Sequence, residues 1–317
     1  MTEDGGLEPY VGSSDQLYNW SARQTRILPN ERIIGMTSAE YQVSDITDIF
    51  MELYFGAGST EFAISPLPAF GGGGGNPLSG DGIRVRLDNP LVPDDVRDEV
   101  ESITAGTVEE LIVSKRLVAL GDRISDVDRH YIELVVGGEH RLSSSSSITG
   151  HYRFGRTAVE MIQKGLLSRE RLGIALSADL CGRVSACTPV NPFTLNGFDA
   201  GANYVGAQSR PTQIDVTEHE FYLDGATDVE LPGLEPLSIL SGLSWRHSKI
   251  STQRPDGVED LIGFANIAGF DGTLETAEMF TRGTIPFLTE KSPIGELRVG
   301  MGARLVHTSQ TGWTENG

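Results

Sequence analysis

Cysteine, lysine and long apolar runs are what this chain has least of, and each shortage narrows what it can be. Two cysteines, Cys181 and Cys187, occur in 317 residues. Without clustered histidines they make no zinc site. Six positions apart, they could close a small loop. Cysteine is among the most buried residue types, however, and a cytosolic chain keeps its thiols reduced, so a reduced pair is expected. Four lysines (Lys115, Lys164, Lys249, Lys291) are scattered among 21 arginines. No basic run is long enough to neutralise a row of phosphates, which argues against sequence-specific nucleic-acid binding. No stretch approaches the ~20 apolar residues of a spanning helix. The start, Met1-Thr-Glu-Asp-Gly-Gly, has neither secretory nor transit character. No membrane span and synthesis in a cytoplasm are therefore expected.

Catalytic signatures are missing too. No lysine completes a GxxxxGK[ST] phosphate loop, the run Gly71 to Gly75 does not satisfy GxGxxG, and no GxSxG elbow exists. No catalytic, cofactor-binding or metal-ligating residue is assigned, no cofactor is expected, and the chain reads as a non-enzyme.

What is present in excess is acid and glycine: a formal charge of -19 and 38 glycines. A chain of this length can bury roughly 75% of its unfolded surface, enough to fold without metal or disulfide. Its acidity would make self-association favour high salt or divalent cations.

Along the chain, Ser13 to Arg26 reads as a capped helix ended by Pro29, and Glu31 to Ser65 as mostly strand. Ile83, Val85 and Leu87 alternate with Arg84, Arg86 and Asp88 after the glycine run. Residues 31–88 therefore read as an extended hairpin with a glycine-rich tip. Pro93-Asp94-Asp95 opens a helix with an inward stripe of Val96, Val100 and Ile103. Capping boxes at Thr107/Glu110 and Thr157/Glu160 predict helices to Gly121 and Gly165. Tyr131 to Val136 is a short strand, Ser143 to Ser147 a polar loop, Arg171 to Leu176 a strand, and Ser177 the cap of a short helix. Ile214 to Leu223 alternates, Ile239, Leu243 and Trp245 share a face, and Leu297 to Leu305 is the clearest strand. Gly197-Phe198-Asp199 and Gly269-Phe270-Asp271 hint at a repeat.

Three groups of side chains have ligand chemistry. Asp126, Asp128 and His130 could offer three ligands on one strand face, against a plainer reading as a solvated loop. Glu218 and Glu220 would face one way on a strand and His219 the other, which argues against a joint metal site. His151 lacks a matching carboxylate motif and reads as structural. Asn19-Trp20-Ser21 matches a glycosylation sequon that is expected to go unused.

The order of elements resembles the HK97-type major capsid proteins of tailed viruses. In that comparison residues 1–30 form an N-terminal arm, 31–90 an extended β-hairpin loop, and 91–155 a spine helix and peripheral region. Residues 156–290 form a mixed α/β domain, and 291–317 a closing strand and tail. The segments Thr157 to Leu167 and Leu172 to Leu180 resemble its helix–strand–helix passage. The resemblance implies an α+β fold, with an all-β jelly-roll capsid fold as the alternative. It implies a structural virion protein, made in the host cytoplasm, whose main partner is itself in an icosahedral shell, with other virion proteins as further partners. A tail or baseplate subunit, or a strand-rich hydrolase or carbohydrate-binding protein, are the other readings.

Overall fold

A computed structural model of the chain describes residues 18–69, 82–230, 236–264, 268–288 and 297–316. These are 60% strand and 14% helix. Nine strands form one antiparallel sheet: β1 (Asn30–Ser44), β2 (Thr47–Ile64), β3 (Arg123–Ser143), β4 (Ser146–Lys164), β5 (Thr212–Val229), β6 (Leu237–Gln253), β7 (Phe270–Leu288), β8 (Leu297–Thr308) and β9 (Gly312–Asn316). Each pairs with its neighbour in this series, so the sheet is a meander. β1 and β9 are its outer strands among the described residues.

The α+β HK97-type expectation is therefore overturned, and a jelly roll, which packs two sheets, does not describe a single meander either. The extended hairpin exists as β1 and β2, but its tip is the pair Asp45 and Ile46. Gly71 to Gly75 lie outside the described residues, as do Ser13 and Ser14. Only a 3-10 turn, Trp20–Arg23, remains described of the first predicted helix.

Two predicted helices are extended chain. Thr157 to Lys164 belongs to β4, where ladder bonds to β3 and β5 satisfy both sides of the backbone. A capping box offers only two side-chain bonds against that. The segment after Thr107 forms a short strand, Glu110–Val113, paired with Ile83–Arg86, and then Lys115–Arg116. The predicted strand at Arg171 is instead a helix. α1 (Asp94–Thr104) is as expected, except that Ile103 is exposed and not inward. In α2 (Arg169–Ala175) the Ser168 hydroxyl accepts from the Arg171 N–H at 3.2 Å, and Leu172 and Ala175 are buried. α3 (Ala178–Gly182) is capped by Ser177 as read, and α4 (Ala202–Val205) follows.

The buried core lies beside the sheet. Leu67, Ile83, Val85, Leu117, Leu167, Val190, Phe198 and Val205 pack together from segments that leave one end of the strands. These segments, 65–122 and 165–211, contrast with the two-residue turns Asp45–Ile46 and Ser144–Ser145 at the opposite end. Cys181 and Cys187 are disulfide-bonded in this module with Cα atoms 5.2 Å apart, which corrects the expectation of reduced thiols. The two Gly-Phe-Asp triplets sit in unlike places: Phe198 is buried in this core, and Phe270 is exposed on a strand. They are not a structural repeat.

Candidate functional site

Successive side chains of a strand point to opposite faces, and paired residues share a face. The register therefore sorts the whole sheet into two surfaces. One row runs Ala39, Met51, Val136, Tyr152, Phe221, Trp245, Ala277, His307, Trp313 across all nine strands. The next row on this face runs Tyr41, Ile49, Gly138, Gly150, Leu223, Leu243, Met279, Leu305. Almost nothing covers these groups: Met51, Phe221, Leu243, Trp245 and Met279 are all exposed.

This apolar face has a boundary. On consecutive strands the alternation passes from Ile132 to His130, from Phe154 to Arg156, from Phe221 to His219, from Trp245 to His247, from Ala277 to Glu275 and from Leu305 to His307. Four of the six histidines lie on this line. Aromatic rings meet them: Phe154 and His219 have centroids 5.3 Å apart, Trp245 and His247 6.0 Å, His307 and Trp313 4.8 Å. The Tyr152 hydroxyl is 2.6 Å from His219 Nδ1, and His247 Nδ1 is 3.2 Å from Glu275.

The opposite face carries charge. Arg153 on β4 donates to Glu133 on β3 at 3.0 Å and reaches Glu218 and Glu220 on β5 at 3.5 and 3.3 Å. Arg246 on β6 closes on Glu220 at 2.7 Å, and Ser248 donates to Glu218 at 3.2 Å. Further along, Arg304 pairs with Glu278, and on β2 the Tyr54 hydroxyl donates to Glu52. A ladder of ion pairs thus crosses the strands behind the apolar rows; on the apolar side the cross-strand pairs Arg156–Asp215 and Lys164–Asp126 lie beyond the boundary, toward the loop module.

The sequence candidates fall within this frame. Asp126, Asp128 and His130 share the apolar-side face of β3 above the boundary, on a strand and not in a loop; Asp126 is ion-paired to Lys164 at 2.5 Å. Among the described residues no three such side chains are grouped to hold a metal ion. Glu218 and Glu220 do oppose His219, as read, and the two glutamates join the ladder. His151 has a carboxylate neighbour after all, Glu220 at 3.7 Å, and stacks on Tyr222. Asn19 accepts from Ser21 at 2.9 Å. Glu133, Arg153 and Arg246 went unnoticed in the sequence because their proximity depends on strand register, which no local spacing encodes.

No described helix is long and apolar enough to cross a membrane. No family model matches the chain, and no curated protein matches it. Among solved structures, the ferric-catecholate import receptor Fiu of E. coli K12 in its closed form is similar over 90% of this chain and 41% of that one, at 10% identity and a TM-score of 0.31. The chain thus spans less than half the length of that receptor, and a likeness this faint carries no weight below.

Proposed function

We propose that the sheet is part of the wall of a transmembrane β-barrel, with its apolar face toward lipid and its charged face toward a water-filled passage for solutes. The observation that carries this is the bounded apolar face. Its apolar positions run Ile49 to Ala57 on β2 and Leu297 to Leu305 on β8, and on β7 from Ala277 to Ile285 around Thr281, whose hydroxyl is satisfied by Ser241 at 2.8 Å. Each run is about nine residues, and ~9–11 tilted residues cross the hydrocarbon layer. His219 and His247 are paired, and His130 and His307 step off that row in opposite senses, so aromatic and histidine side chains trace a slanted border that suits the lipid–water interface of tilted strands.

Two further features support the reading. The two tightest turns between long strands at one end, Asp45–Ile46 and Ser144–Ser145, and the two longest connections at the other match the asymmetry of such barrels. The Cys181–Cys187 bond suits an oxidising compartment. In lipid a sheet can have no bare edge, so the reading requires β1 and β9 to pair with each other or with further strands. The shell reading drew its support from the HK97-type fold and loses that support here.

The test is refolding from urea into phospholipid vesicles, followed by an alkaline wash and flotation. A barrel wall floats with the vesicles and stays with them through the wash. Protein left in the dense fraction, as monomers or as self-assembled particles, contradicts the proposal, and closed particles would favour the shell.

A further inference from the structure

The charged face carries a strip of rings that a wall alone does not need. The ring of Phe50 on β2 lies across Gly137 on β3: a Cβ at Gly137 would sit 2.6 Å from Phe50 Cζ and 2.7 Å from His151 Cβ. His151 on β4 stacks on Tyr222 of β5, centroids 5.0 Å apart and planes 22° apart. Tyr222 and Phe280 of β7 are 6.2 Å apart with planes 23° apart. Phe280 in turn lies across Gly242 of β6, where a Cβ would be 2.6 Å from its Cζ. Glycine on β3 and β6 is what lets each ring lie over the neighbouring strand. The four rings form a band from β2 to β7, five gaps of ~4.8 Å or roughly 24 Å wide.

Charged groups border the band on both sides. Toward the loop module stand Arg153, Glu220 and Arg246. Toward the short turns stand Glu139, Asp224, which accepts from the Tyr222 hydroxyl at 2.8 Å, and Arg282. Asp48 and Glu52 flank Phe50 and Glu278 flanks Phe280 on the same face, and Arg141 and Arg304 pair with Asp48 and Glu278, so six anions meet five cations and the border carries little net charge. Paired carboxylates and guanidiniums nevertheless keep lone pairs and N–H groups free for further hydrogen bonds.

We propose that this strip binds a neutral oligosaccharide. The C–H faces of a sugar ring pack on aromatic rings, its hydroxyls bridge to carboxylates and guanidiniums, and its lack of charge fits the balanced border. The inference rests on the polar face being open to water, as the wall reading has it, and it names the solute class for that passage.

The experiment measures binding by calorimetry to refolded, detergent-solubilised protein, with maltohexaose, cellohexaose and chitohexaose as probes. At least one binds with a Kd of about 1 mM or tighter. Tyr222→Ala and Phe280→Ala each weaken it about tenfold or more, while Phe280→Tyr stays within about threefold. Circular dichroism of each variant confirms that the sheet has formed, and Tyr222→Phe, which keeps the ring, covers the case in which an alanine variant fails to fold. Lack of binding by all three probes, or binding unchanged in both alanine variants, overturns the proposal. Flotation of the same preparation separates the two claims. Protein that enters vesicles but binds no sugar sinks the strip alone, and protein that binds sugar but stays out of vesicles sinks the wall alone.

Discussion

Trp245 and Arg246 are neighbours in the chain and belong to different surfaces. The Trp245 ring lies exposed beside His247 on the apolar face, and the Arg246 guanidinium closes on Glu220 at 2.7 Å on the charged face. The same division repeats along every long strand, and each prediction below depends on it or on the module at the strand ends.

A charge placed on the apolar face should cost far more than the same charge on the other face. Met301→Arg, at the middle of the exposed Leu297–Leu305 run, is expected to lower stability in bilayers by ~2–4 kcal/mol. Thr149→Arg, on the charged face, is expected to change it by less than ~1 kcal/mol. Urea titration of vesicle-inserted protein reads both, and equal costs would contradict the two-faced assignment.

Gly137 is fixed by contact. A Cβ there would approach the Gly150 carbonyl oxygen at 2.6 Å as well as Phe50, and a backbone atom in a paired strand has little room to retreat. Gly137→Ala should destabilise by ~1–3 kcal/mol. Gly225, whose nearest neighbour would be 3.7 Å away, should accept alanine with much less effect. The pair is compared in the same urea titration.

The disulfide closes a short loop in the module. Its removal by Cys181→Ser with Cys187→Ser should cost about 2 kcal/mol on the loop-entropy estimate. The loss should appear as faster amide exchange in α3, with strands β2 to β6 unaffected. Exchange that is unchanged in α3 would mean that the bond contributes nothing there.

Lys115 should titrate below the ordinary lysine value. Half-burial of its ammonium, held to the Thr194 carbonyl, lowers its pKa, and Asp199 only partly opposes this. The folded state then holds the proton less tightly than the unfolded one, so module stability rises with pH in the window between the lowered value and about 10.5. NMR of the reductively methylated protein resolves the lysines; a Lys115 signal titrating at or above the other three contradicts the burial argument.

The parts of this fold that were legible in the sequence are those with a clean two-residue period. Leu297 to Leu305 and Ile214 to Leu223 read as strands and are strands, and the opposition of His219 to Glu218 and Glu220 followed from the same rule. Thr157 to Gly165 misled because Thr157 with Glu160 mimics a helix start, and Val159 with Ile162 has helical spacing. In the sheet those residues simply alternate between faces. Arg171 to Leu176 misled in the opposite sense, since Leu172, Ala175 and Leu176 bury one side of a single helical turn. The band of rings and the ion-pair ladder were illegible for a different reason. Phe50, His151, Tyr222 and Phe280 lie far apart in the chain, and only the register of six strands brings them into line. A spanning helix shows as one long apolar run, which a strand that alternates lipid-facing and water-facing residues never contains.

The central claim is that the face bearing Trp245 meets lipid. A variant with Trp20→Phe and Trp313→Phe leaves Trp245 as the sole tryptophan, and its fluorescence is measured in vesicles made with lipids brominated along the acyl chain, against aqueous iodide. Strong quenching by the bromolipids with little by iodide is the predicted result. Quenching by iodide alone would place that face in water and contradict the barrel-wall account.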